Sequence, residues 1–234
     1  MRRRPRTALN GLNVKTMRDD VIDVILPCLN EAVALPWVLG RMPSWAHPLV
    51  ADNGSADGSR EIATSLGATV VEVTARGYGS ACHAGLQHAT SDVVAFMDAD
   101  ASLDPGQLTL LRAALADEVD LVVGCRRPVS AQAWPWHLRM ANREVCRRLR
   151  RRTGLRLADL GPMRLARRVP LLALQIEDRR SGYPLETMVR AAESGWRVAS
   201  ADVDYHPRAG RSKVTGTPLG VLRAVSDMTG VLRA

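Results

Sequence analysis

The chain runs to 234 residues, 46% of them hydrophobic, enough for one large α/β domain with a proper core. Its formal charge of +8 rests on 30 arginines and only two lysines, and no window reaches the roughly 18 uncharged apolar residues of a membrane span. Cys28, Cys82, Cys125 and Cys146 show neither C-x-x-C spacing nor a disulfide-scaffold density, so they read as reduced thiols in small apolar niches of a cytoplasmic protein.

Residues 1–20 are basic with no apolar segment behind them, which excludes a secretory signal and reads as a disordered basic arm. A first strand is expected over 21–27, stopped by Pro27, and a helix over 31–40. A second strand spans 48–53, a turn follows at Asn53-Gly54-Ser55, and Asp57 can cap a helix to residue 66. Residues 69–73 make a third strand, 78–89 a third helix, and the apolar run from Val93 a fourth strand. Pro105 starts a helix to residue 117, and 121–124 form a fifth strand. This alternation predicts an α/β fold with a Rossmann-like, doubly wound, mostly parallel sheet. After Arg126 the rhythm breaks into a long basic helix over 134–152, then a loop and short strand over 159–168. A helix over 186–195 and a strand over 197–204 follow, and the chain from Arg208 onward is polar, then weakly amphipathic. No linker divides the chain, so 21–234 is expected to be one domain.

Ligands of α/β folds gather beyond the carboxyl ends of the strands, and here those ends are polar. Asp98 and Asp100 follow the most apolar strand. Two close carboxylates repel each other. A hard cation such as Mg²⁺ or Mn²⁺ relieves that repulsion and keeps coordination positions for phosphate oxygens. Taken alone, an Asp-Ala-Asp is more often a solvated acidic turn that closes a strand. Asn30 and Glu31 lie just past Pro27, where Asn30 is also a natural helix cap. Asp52 ends the second strand, placed to accept from a base N–H or a ribose hydroxyl. Gly77 and Gly79 open the third helix, whose N–H groups and dipole favour phosphate. A third glycine of a dinucleotide fingerprint is missing there, and no Gly-Lys-Ser/Thr of a P-loop occurs in the chain.

In this order, P-x-L-N-E, D-N-G-S-x-D-G-S, G-x-G-x-A, D-A-D and the Gly-Cys-Arg at 124–126 resemble the motifs of the family-2 glycosyltransferases, which have the GT-A fold. Later stretches at 159–164, 182–186 and 208–213 look like the polyprenyl-phosphate branch of that family, which contains the dolichyl-phosphate mannose and glucose synthases. The resemblance implies a nucleotide-sugar-binding half over 21–126 and an acceptor-side half over 127–234. It implies a nucleotide diphosphate sugar donor held at base and ribose by Pro27, Leu29, Glu31 and Asp52. Asp98, Ala99 and Asp100 would carry the metal and diphosphate, with Asp100 the direct ligand. Ser102 stands where some relatives supply a further metal ligand, often Gln. Arg126, Arg208 and Lys213 would grip donor or acceptor phosphates. Glu186 and Asp159 compete as acid–base residues, although an acceptor that is already a phosphate anion needs no base. His206 is a candidate late metal ligand.

The implied reaction is inverting transfer of a hexose from a UDP-glucose or GDP-mannose type donor to polyprenyl phosphate or another phosphorylated acceptor. The arginines at 139, 143, 147, 148, 150, 151 and 152 are opposed within that stretch by Glu144 alone. They suit peripheral contact with the anionic inner face of a membrane, worth about 1 kcal/mol per well-placed arginine. The same cluster also reads as a solvated helix face. Nucleic acid is the weaker choice and no such partner is expected, because no recognition helix, finger or stacking platform accompanies the charge. Two other readings remain at this stage. One is a nucleotidyltransferase, which normally has a Gly-rich basic loop after its first strand. The other is a catalytically inactive nucleotide-sugar-binding protein.

Overall fold

The apolar run that opens the sheet, Ile22–Cys28 (β1), alternates its side chains between two buried faces. Val24 and Leu26 enter one hydrophobic cluster and Ile25 the other. That pattern requires helices on both sides of the strand. The computed structural model describes residues 21–209, 228 and 230–232. The basic arm at 1–20 and Lys213 lie outside those residues.

The remaining strands are Ala46–Asp52 (β2), Thr69–Glu72 (β3), Val93–Phe96 (β4), Leu121–Pro128 (β5), Arg164–Arg167 (β6) and Val198–Tyr205 (β7), in the spatial order β3-β2-β1-β4-β6-β5-β7. β1 pairs parallel with β2 and β4, β2 with β3, and β5 with β7. β6 is antiparallel to both of its neighbours, β4 and β5. A strand from the second half of the chain is therefore wedged between two strands of the first, and the expected halves share one sheet.

The helices are Leu35–Leu39 (α1), Ser59–Ser65 (α2), Tyr78–His88 (α3), Leu108–Ala114 (α4, after a 3₁₀ turn at Pro105–Gln107), Trp136–Thr153 (α5), Arg168–Ala173 (α6) and Tyr183–Glu193 (α7). One core cluster gathers Leu35, Val38, Leu108, Leu111, Met163 and Leu165. The opposite one gathers Leu86, Val94, Leu149, Leu185 and Met188. At Gly85 on α3 a methyl group would collide with the Ile25 side chain, so the absence of a Cβ lets the helix lie against β1. All four cysteines are free and buried, and burial pushes the thiols of Cys28 and Cys146 up to about 11 and 12.

Three elements differ from the sequence expectation. The first helix begins at Leu35 rather than 31, because Asn30 turns left-handed (φ +56°) and the Glu31 carbonyl closes a turn with the N–H groups of Ala34 and Leu35. α6 appears directly after β6. Pro170 sits in the first turn of α6, where a missing N–H costs nothing. α7 starts three residues early for the same reason, with Pro184 near its N-terminus.

Candidate active site

β1, β2, β4, β5 and β7 all point their carboxyl ends toward one edge, and the acidic loop after β4 lies in the middle of it. Ala101 closes that loop with φ +60°, a left-handed conformation that a side chain adopts only under constraint. Asp100 is buried. Its Oδ1 accepts from the Ser102 N–H at 3.0 Å, and its Oδ2 faces Arg208 Nη1 at 3.2 Å. The carbonyls of Asp100 and Ser102 accept from Ala209 and His206 N–H, each at 2.9 Å, so the segment after β7 is tied down over the loop. Asp98 accepts from the Tyr78 hydroxyl at 3.2 Å. Burial and the neighbouring Asp100 push its carboxyl up to about 6, against the pull of Arg208, Arg126 and Tyr78. The pair is short of positive charge.

That donor set fits a hard divalent cation: two carboxylates two residues apart, all-oxygen, of the kind whose remaining coordination positions phosphate oxygens complete. Among the described residues no third histidine, cysteine or carboxylate joins them, so His206 is not part of a metal cluster. Ser102 is fully buried, and its Oγ has no hydrogen-bond partner among the described residues. Its hydroxyl retains the capacity to turn toward an ion.

Arg126, near the end of β5, is clamped by Asp159. Nε and Nη2 donate to the two carboxylate oxygens at 2.8 and 2.7 Å, and the Arg126 N–H adds a third bond at 2.9 Å. The guanidinium lies 4.0 Å from the ring centroid of Trp134 and 5.2 Å from that of Tyr205. Burial works against its charge, but the Asp159 pair prevails and raises its pKa above the ordinary value. Arg208 Nη2 reaches the Tyr205 hydroxyl at 3.5 Å, so Tyr205 links both guanidinium groups. Both oxygens of Asp159 are taken up by Arg126.

Glu186, the other carboxylate expected to act as acid or base, is also engaged inside the protein. Its carboxylate accepts from the N–H groups of Glu177 and Asp178 and from Arg190 Nε at 2.6 Å. It thereby ties down the turn at 177–182, whose Arg179 and Arg180 carbonyls accept from the N–H groups of Ser80 and Gly79 at the head of α3. The Gly77 N–H donates to Asn53 Oδ1 at 2.7 Å. The amides that the sequence offers to phosphate are thus engaged inside the protein. Gly77 and Gly79 allow close packing there, since a Cβ on Gly79 would lie 2.7 Å from the Asp178 carbonyl and one on Gly77 would strike that of Arg179.

The loops after β1 and β2 are laced together. Asn30 Oδ1 accepts from Ala56 N–H, Ser55 Oγ from Asn30 N–H, and Asp57 Oδ2 from Ala32 N–H. Asn30 therefore crosslinks two loops and does not cap a helix. Asp52 is buried and accepts from Gly54 and Ser55 N–H, with Arg60 Nε 3.7 Å away. Pro27, Leu29 and Glu31 are partly buried along the same edge. Sequence reasoning missed Tyr78, Trp134, Tyr205 and Asn53. In a chain only 4% aromatic, an aromatic residue at the end of an element was the available signal.

Residues 23–172 match the profile of glycosyl transferase family 2. An uncharacterized glycosyltransferase of Mycobacterium tuberculosis is 48% identical over 217 residues, spanning 92% of this chain and all of that protein. The undecaprenyl-phosphate mannosyltransferase of Micrococcus luteus is 32% identical, over 88% of this chain and 91% of its own. The fold is also that of glucosyl-3-phosphoglycerate synthase from M. tuberculosis, solved with Mn²⁺, UDP and glucosyl-3-phosphoglycerate. That structure aligns with a TM-score of 0.68 at 20% identity, over 92% of this chain and 80% of the other.

Proposed function

The chain belongs to glycosyl transferase family 2 and has the GT-A fold, and from that premise we propose that it transfers a hexose, with inversion, from a nucleotide diphosphate sugar to polyprenyl phosphate. The donor is of the UDP-glucose or GDP-mannose type. Pro27, Leu29, Glu31 and Asp52 line the edge where its base and ribose would bind.

Asp98 and Asp100, with Ser102 behind them, would hold Mg²⁺ or Mn²⁺. Such an ion, when bound, neutralises the diphosphate as the sugar leaves it. Arg208 adds a cation beside Asp100, and Lys213 is proposed for the same role. Arg126, held rigid by Asp159 and stacked between Trp134 and Tyr205, presents a fixed positive charge to a phosphate. Because its orientation is set in advance, little reorganisation is needed when negative charge develops.

One observation carries the choice of acceptor. Both carboxylates expected to act as base, Asp159 and Glu186, are consumed by internal partners. A hydroxyl acceptor needs a proton removed, whereas a phosphate arrives as a nucleophilic anion. The relative named as an undecaprenyl-phosphate mannosyltransferase supports the lipid-linked form. Among the described residues no helix is long and apolar enough to cross a membrane, so the protein would reach such an acceptor peripherally, at the inner face of the membrane, through the basic residues at 139–152.

The test is nucleotide release from a panel of UDP- and GDP-sugars, with and without Mn²⁺ or Mg²⁺, in the presence of polyprenyl phosphate or phosphoglycerate. Metal-dependent release stimulated by polyprenyl phosphate is expected. Release that persists undiminished in Asp100→Ala would sink the metal assignment. Stimulation by phosphoglycerate alone would move the acceptor into solution.

A further inference from the structure

α5 is an unusual helix. Leu138, Asn142, Cys146 and Leu149 turn toward the body of the protein. At steps of four, three, four and four residues, Trp136, Met140, Arg143, Arg147 and Arg151 share the opposite face. The outward stripe is therefore apolar at its first turn and basic for the rest of its length. Trp136 is 75% exposed and Met140 53%; Val129, just upstream, is 51% exposed. These are large apolar side chains presented to water beside unpaired cations. The carboxylate of Glu144 is taken up by Arg147 and Arg148 at 2.6 and 2.8 Å. Among the described residues no carboxylate pairs with Arg139, Arg143, Arg150 or Arg151.

The position of this tip matters. α5 begins two residues after Trp134, whose ring carries the Arg126 guanidinium, and Val129 N–H donates to the carbonyl of Tyr205, the other ring against Arg126. The exposed apolar group thus borders the place where a phosphate is gripped.

We propose that Val129, Trp136 and Met140 form a wedge that inserts into the interfacial layer of an anionic bilayer, while Arg143 and Arg151 bind lipid phosphates along the same helix face. Indole and thioether groups favour the headgroup–acyl boundary, and arginine stems extend beside them toward phosphate. The mixture of charge and grease distinguishes this surface from one built for nucleic acid or an acidic protein, which would require arginines but no protruding apolar tip. Three side chains are also far too little area for a stable dimer. The purpose assigned to the wedge rests on the reading of a lipid-linked acceptor: it brings Arg126 to the membrane surface at the level of the acceptor phosphate.

The experiment is co-sedimentation of the full chain with vesicles of phosphatidylcholine alone and of phosphatidylcholine with phosphatidylglycerol, for wild type, Trp136→Ser/Met140→Ser and Arg143→Glu/Arg151→Glu. Quenching of tryptophan emission by brominated lipid is recorded alongside. Wild type should bind the anionic vesicles and be quenched. The apolar double variant should bind at least about tenfold more weakly, lose the quenching component and keep wild-type circular dichroism. Donor turnover with a short-chain, water-soluble polyprenyl phosphate should be unchanged in that variant, and turnover with the bilayer-embedded form should fall. Equal vesicle binding by wild type and Trp136→Ser/Met140→Ser overturns the wedge. So does loss of binding in the arginine variant without any tryptophan quenching in wild type, because that outcome describes adsorption by charge alone. A lipid-free dimer abolished by Trp136→Ser overturns it in favour of a second copy. Wedge-dependent binding in a protein that fails to glycosylate polyprenyl phosphate supports the docking and refutes the acceptor.

Discussion

Asp52 at the end of β2 and the Asp98–Asp100 pair beyond β4 occupy equivalent places on the sheet, yet they are treated in opposite ways. Asp52 receives the N–H groups of Gly54 and Ser55 and has Arg60 close by, so its charge is answered by the turn it builds. Asp159 and Glu186 are answered just as completely, by Arg126 and by the 177–178 backbone with Arg190. Asp98 and Asp100 repel each other, and between them receive one backbone N–H from Ser102, one contact from Arg208 and one hydroxyl from Tyr78. The first group is engaged by the fold itself, and the second is the pair proposed to take up charge from outside. A carboxylate's role here follows from what remains of its hydrogen-bonding capacity after folding.

The sharpest way to break that contrast is Asp100→Ala, which should lower kcat/KM by at least about a thousandfold while leaving the melting temperature of the metal-free protein unchanged. A large loss of stability would make Asp100 a scaffold residue like the others. Asp159→Ala should instead cost stability, and turnover with it as Arg126 loses its fixed orientation. Leaving Arg126 half-buried and unpaired is expected to cost about 3 kcal/mol in chemical denaturation. Glu186→Ala strands two backbone amides and should cost about 2 kcal/mol. Glu186→Gln should recover much of that stability together with near wild-type turnover. A stable Glu186→Gln protein with turnover reduced a thousandfold would restore Glu186 as an acid–base catalyst.

Asp98 gives a subtler test through pH. Its carboxyl is raised from the ordinary 3.8 to about 6, so the folded state holds the proton more tightly than the unfolded chain. The sign follows: stability of the metal-free protein falls as pH rises between those two values and levels off above them. Asp98→Asn lacks this slope. In chelator it should melt above wild type at pH 7, with the gap closing near pH 4, and added Mn²⁺ should stabilise wild type alone. Identical pH profiles for the two proteins would remove the electrostatic tension from the site. The smallest effect is expected for Asp52→Asn: less than about 1 kcal/mol of stability, since the amide oxygen still accepts from the turn, and a several-fold rise in donor KM.

The strands and their polar ends were legible because buried parallel strands read as short apolar runs, and whatever stops such a run stands at the ligand edge. For that reason Asp52, Asp98, Asp100 and Arg126 could be placed from the sequence. Its partners could not. Asp159 meets Arg126 across 33 positions, and the 177–182 turn meets the head of α3 across 99. Such pairings are tertiary, with no local signature. Glycines at a helix start have the same spelling whether they cradle phosphate or admit a neighbouring backbone, and here they admit Arg179. The antiparallel run of β6 was hidden too, because a four-residue strand carries no mark of direction.

That short strand also governs how the chain can become a protein. β4 emerges from the ribosome with Val93, Val94, Ala95 and Phe96 destined for full burial, and its outer edge stays open until residues 164–167 arrive about seventy positions later. During that interval the first half is a set of parallel strands with one bare, hydrophobic edge. A fragment ending at Arg126 would keep that edge permanently, and it should aggregate even though it contains every donor-side strand. Synthesis therefore imposes an order on the molecule: the second half of the sheet must be made before the first is safe.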